Sequence, residues 1–116
     1  MVIEDRELAV WWGTEVECAS ALARSFRERG EWEDAAQKFE QLAELARRWR
    51  TVDPSAEIKR VALRILCSHP LRAADALQLA AAVIAAGHQP HVLPFVSLDT
   101  RLRAAAAREG FPLLPA

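Results

Sequence analysis

Sulfur chemistry has little to work with in this chain. Its two cysteines, Cys18 and Cys67, lie far apart, with no C-x-x-C and no nearby His-x-x-x-His. That excludes a disulfide framework or a cysteine–histidine zinc site and suits a reducing compartment. An excess of one charge is missing as well: 15 basic against 16 acidic residues leave a net charge of −1. A chain-wide basic field for gripping nucleic acid is thereby excluded, so any such contact must use a local patch. No long hydrophobic run occurs either. The longest, residues 73–86, is interrupted by Asp75 and Gln78 and is too short to span a bilayer. The opening "MVIEDRELAV" carries acids where a signal peptide needs a basic start and a long apolar stretch. These absences predict a soluble, cytoplasmic protein with no membrane partner. Glycine-rich phosphate loops, a G-x-S-x-G elbow and H-E-x-x-H are also lacking, as are internal repeats and linkers.

What is present fits one domain over residues 1–116, with 52% hydrophobic and 27% charged residues around a single core. "LAVWW" (8–12) is a short apolar run closed by Gly13 and predicts a buried strand. Thr14 opens a helix to about Arg29, ended by Gly30. A second helix is expected over 32–49, with Trp32, Ala35, Phe39, Leu42, Ala46 and Trp49 on one face at helical spacing. "WRTV" (49–52) fits a short strand. Asp53-Pro54 suits a helix opening, with Asp as N-cap and Pro as the first helical residue. Pro70 would open the next helix, apolar nearly all round and so buried on several sides, with Gly87 as its C-terminal cap. "HVLPFVSLD" (91–99) predicts a strand whose pairing begins after Pro94. A helix from Asp99 through Glu109, Gly110 and a last strand in "FPLLP" complete the chain. Strands alternating with helices imply an α/β fold, a parallel sheet flanked by helices.

Three acids stand at helix starts or strand ends. Thr14-x-x-Glu17 has capping-box spacing, and capping alone would account for Thr14, Glu15 and Glu17. The same turn, however, follows a parallel strand, at the sheet edge where α/β proteins bind ligands. With Pro70 as first helical residue, Asp75 lies beyond the first turn among alanines and leucines. A buried carboxylate needs a partner: either Arg72, three residues earlier, or a bound cation. Asp99 is either an N-cap or a rim carboxylate on the edge that holds Glu17. Clustered carboxylates repel unless a hard cation such as Mg²⁺ or Mn²⁺ lies among them, and such a centre activates water against a phosphate. His69, His88 and His91 read as loop residues. Trp11, Trp12, Trp32 and Trp49 read as core or interface residues.

In combination, "GTEVECASAL", "HPLRAADALQLAAA", "FVSLDTRLRAAAAREGF" and "FPLLP" resemble the PIN-domain family, including its VapC-like ribonuclease toxins of toxin–antitoxin pairs. The resemblance runs from about residue 8 to the C-terminus. It implies catalytic, metal-ligating acids at Glu17, Asp75 and Asp99 around Mg²⁺ or Mn²⁺, with Ser97 as hydroxyl partner of Asp99. It implies contacts from Arg72 and Arg101 to an RNA substrate. From residues 14 to 49 it implies a homodimer surface and a groove for an antitoxin, with exposed apolar residues such as Trp32 or Phe39.

The resemblance also implies an opening strand, ending apolar-Asp-Ser/Thr in mid-sheet, and a helix ahead of "LAVWW". Seven residues stand there in this sequence. Asp5 lacks the following Ser or Thr, so no catalytic role is assigned to it. A misplaced start, a degenerate member without catalysis, or a gap filled by a second copy or another segment would each account for this. A metal-dependent ribonuclease is therefore expected, against an inactive truncated PIN domain that binds an antitoxin or itself. An unrelated nucleotide-binding α/β domain is disfavoured, because no glycine-rich turn follows any expected strand.

Overall fold

The apolar runs of the sequence become short strands, and the long periodic stretches become helices. The computed structural model describes residues 8–116, so Asp5 lies outside the described residues. The order is β1 (Ala9–Trp11), α1 (Thr14–Arg29), α2 (Ala35–Ala46), β2 (Arg50–Val52), α3 (Ala56–Ser68) and α4 (Ala73–Ala85). A 3₁₀ turn (Pro90–Val92), β3 (Phe95–Val96), α5 (Thr100–Glu109) and β4 (Leu113–Leu114) follow. Pairing does begin after Pro94, which has no N–H to give a ladder.

Both strand pairings are parallel, Val10 opposite Thr51 and Phe95 opposite Leu113. The ladder is in two pieces: among the described residues β1 pairs with β2, β3 pairs with β4, and no strand joins the two. The α/β class and parallel pairing hold, while the sheet is not continuous.

The core lies between α3 and α4. Ile58, Val61, Ala62 and Ile65 recur at helical spacing on α3 and pack against Ala76, Leu79, Ala80 and Val83 of α4. Ile65 and Leu79 are fully buried, each worth about 1.5–3 kcal/mol relative to exposure. Leu102, Ala105 and Ala106 of α5 close one side, with Phe95 and Phe111 at 5.7 Å between ring centroids. As its composition predicts, α4 is buried on several sides, touching α3, α5, β1 and β2. The α1–α2 hairpin stands apart, held by Phe26 against Trp32 and Phe39.

Three helix starts differ from the sequence reading. Ser55, not Asp53, caps α3: its hydroxyl accepts from the Ile58 N–H at 3.1 Å, and Pro54 lies outside the helix. α2 is shorter than 32–49 by three residues at each end. The start of α4 moves furthest. Leu71 N–H bonds the His69 carbonyl, Arg72 is the N-cap, and the helix begins at Ala73 rather than Pro70. Asp75 therefore sits in the first turn, not beyond it. Gly110 ends α5 at φ 105°, a conformation that strains any residue with a Cβ. No described helix is long and apolar enough to cross a membrane.

Candidate active site

The turn from β1 into α1 is set by a close approach. A Cβ at Gly13 would lie 2.7 Å from Trp11 Nε1, so glycine lets the indole fold over the turn. Gly13 is also the N-cap of α1 and makes no side-chain cap. Thr14 is already helical, so the capping box expected from Thr14-x-x-Glu17 does not form. The Glu17 carboxylate is instead turned across to α4, where Gln78 Nε2 donates to its Oε2 at 2.8 Å. One link thus joins α1 to the helix that carries Asp75, three residues before Gln78.

Asp75 is half-buried. Among the described residues it has no hydrogen bond or ion pair, and the Arg72 pairing weighed from the sequence is not formed. Its position near the N-terminus of α4 gives it the favourable end of a helix dipole and nothing more. Asp99 does what an N-cap does: its Oδ1 accepts from the Leu102 N–H at 2.8 Å, while its own N–H donates to Ser97 Oγ at 3.0 Å. The Ser97 hydroxyl therefore meets the backbone of Asp99. Arg72 and Arg101 are exposed.

Thr14, Gln78 and Val96 all line one cleft of about 310 Å³. The segments carrying Glu17, Asp75 and Asp99 therefore border a common opening. The carboxylates themselves do not close into a cluster: among the described residues no three His, Cys, Asp or Glu side chains could hold a metal ion as a group. Their oxygens suit Mg²⁺ or Mn²⁺ in kind. Partial burial, and then the Glu17 and Glu15 carboxylates, push the Cys18 thiol above its ordinary range. That thiol is a poor nucleophile at neutral pH.

Three groups escaped the sequence reading. Gln78 appears there only as a break in an apolar run, yet it holds Glu17. Its signal was available, because Gln78 lies one turn after Asp75 on the same helix. His69 does lie in the loop after α3, as that helix's C-cap, yet it is buried, with Nε2 2.7 Å from Glu109 Oε2. Arg64 meets the same carboxylate with two bonds of 2.9 and 3.1 Å. The Arg64 bonds, reinforced by His69, hold the Glu109 carboxyl below its ordinary range despite partial burial. Arg103 also went unnoticed. It donates to the Ser97 and Pro115 carbonyls at 2.9 and 2.8 Å, tying α5 to the ends of β3 and β4.

No curated protein and no solved structure matches the chain. The PIN domain family model matches residues 10–108, which takes in β2, β3 and α1 to α4 whole, β1 without its first residue and α5 without its last. PIN domains are nuclease-type domains that bind RNA and generally use divalent metals. By that match over most of its length, the chain belongs to the PIN domain family.

Proposed function

We propose that the protein is a Mg²⁺- or Mn²⁺-dependent endoribonuclease, the toxin of a toxin–antitoxin pair, acting in the cytoplasm. The observation that supports this most is the convergence of three acid-bearing segments on one cleft within the family match. In this reading Glu17, Asp75 and Asp99 hold the cation or orient its water, Arg72 and Arg101 contact RNA phosphates, and Ser97 fixes the turn that presents Asp99. A divalent ion supplies a nucleophilic water and offsets charge on the phosphate. The three acids alone leave that centre incomplete. The α1–α2 hairpin, with Val16 and Trp32 exposed, serves as the surface for a second copy and for the antitoxin.

RNA cleavage tests the reading. The protein supplied with Mn²⁺ or Mg²⁺, and extended by any in-frame upstream segment, should cut RNA. Asp75→Asn and Asp99→Asn should each reduce cleavage by about a hundredfold or more, the scale of losing one charge-stabilising group. Undiminished cleavage in both variants would remove the site assignment. The unclosed acid set favours a second reading, an inactive domain that binds an antitoxin or itself. Tight stoichiometric metal binding by the 116-residue chain would count against it.

A further inference from the structure

The connection from β3 to α5 is short and almost unpacked. No side chain over residues 96–101 is buried, and Leu98 in the turn is 85% exposed. Apolar contact therefore does not fix where Asp99 stands. Hydrogen bonds must. The Asp99 N–H donates to Ser97 Oγ at 3.0 Å, and Asp99 Oδ1 accepts from the Leu102 N–H at 2.8 Å. Both bonds join the turn only to itself and to the helix it opens. Its ties to the strands are two. The Ser97 N–H donates to the Leu114 carbonyl at 3.1 Å. The Arg103 side chain reaches back from α5, with Nη1 donating to the Ser97 carbonyl at 2.9 Å and Nη2 to the Pro115 carbonyl at 2.8 Å.

We infer that Arg103 is a positioning residue: its fork locks residues 97–99 against the ends of β3 and β4 and so presents the Asp99 carboxylate. The inference rests on the proposed cation role of Asp99. Among the described residues Arg103 has no ion pair, so its charge serves two neutral carbonyls. Water can satisfy either carbonyl in so exposed a turn. It cannot hold the ends of two strands at one fixed spacing, as a planar guanidinium with donors in a rigid fork does. Lysine, a point charge on a flexible stem, lacks that geometry. The cap leaves Asp99 Oδ2 without a partner among the described residues, and the turn sets its direction. Groups that orient a metal ligand in this way commonly cost about 10- to 100-fold in metal affinity when lost. Charge alone predicts the opposite sign. A fixed cation near Asp99 opposes a bound cation, so removing it would by itself tighten Mn²⁺ binding.

The test reads Mn²⁺ affinity from residue-resolved NMR line broadening, and amide exchange in the metal-free protein, on the full chain and three variants. Arg103→Met removes the charge, and Arg103→Lys keeps it without the fork. Glu109→Gln loosens the far end of α5 without touching the turn. Both Arg103 variants should need at least about tenfold more Mn²⁺ to broaden the Asp99 amide. Exchange of the Leu102 N–H, which the cap protects, should quicken at least about tenfold in both. Glu109→Gln should leave the Mn²⁺ affinity unchanged. Unchanged or tighter Mn²⁺ binding by Arg103→Met, or full retention by Arg103→Lys, would overturn the inference and leave the cation role of Asp99 standing. An equal loss in Glu109→Gln would reduce Arg103 to a stabiliser of α5 and overturn it too. No broadening around Glu17, Asp75 and Asp99 in the native protein would instead overturn the cation role, and the inference with it.

Discussion

Two acidic regions of this protein are built in opposite ways. At the junction of α3 and α5, Glu109 is held by a two-bond Arg64 contact and by the buried His69. Around the cleft, Glu17 has a neutral amide, Asp99 has a backbone cap, and Asp75 has no partner among the described residues. The first arrangement satisfies a carboxylate with cations from the chain itself and so locks two helices together. The second leaves negative charge without a protein counter-charge. Of these carboxylates Asp99 serves the fold as the N-cap of α5, and in the proposed function all three serve a bound cation.

The comparison can be broken first at its scaffold. Ile65→Ala, in the fully buried layer beneath both regions, should cost about 2–5 kcal/mol, read by denaturant unfolding. Next, Glu109→Ala should cost about 1–2 kcal/mol, discounted because the Arg64 side chain is half exposed. The acid dependence of stability sharpens the contrast. A depressed folded-state pKa means Glu109 contributes fully above the ordinary glutamate range, and that contribution is lost as pH falls through its lowered value. Thermal melts from neutral pH downward should show this loss in the native protein, and Glu109→Gln should flatten that part of the profile. Asp75→Asn should have the smallest effect on stability, within about 0.5 kcal/mol, because no protein partner is lost. A large destabilisation there would erase the distinction between the two regions.

Much of the fold was legible in the sequence, because periodicity reports burial. The 3.6-residue pattern of α3 and α4 and the run "LAVWW" gave their elements directly, and the glycines at 30 and 110 marked helix ends. Helix starts were less legible. Pro54 and Pro70 are compatible with a first helical position, yet Ser55 and Arg72 take the caps because tertiary packing fixes where the chain turns. That shift changed the reading of Asp75 from a mid-helix acid to a first-turn acid. The capping-box spacing at Thr14 misled for a related reason: Gly13, which Trp11 requires, already occupies the cap. Gln78 could be suspected from its place one turn after Asp75, but its pairing with Glu17, like that of Glu109 with His69, has no local signature. Asp99 was legible in both of its readings, and its cap is the one that the structure displays.

The most direct measurement is a Mn²⁺ titration followed by residue-resolved NMR line broadening, which detects even weak binding. The account predicts that broadening centres on the amides around Glu17, Asp75 and Asp99, and that Asp75→Asn diminishes it. Broadening centred instead on the solvated acids of α2, or unaffected by that substitution, would contradict the assignment of the cleft acids to a cation.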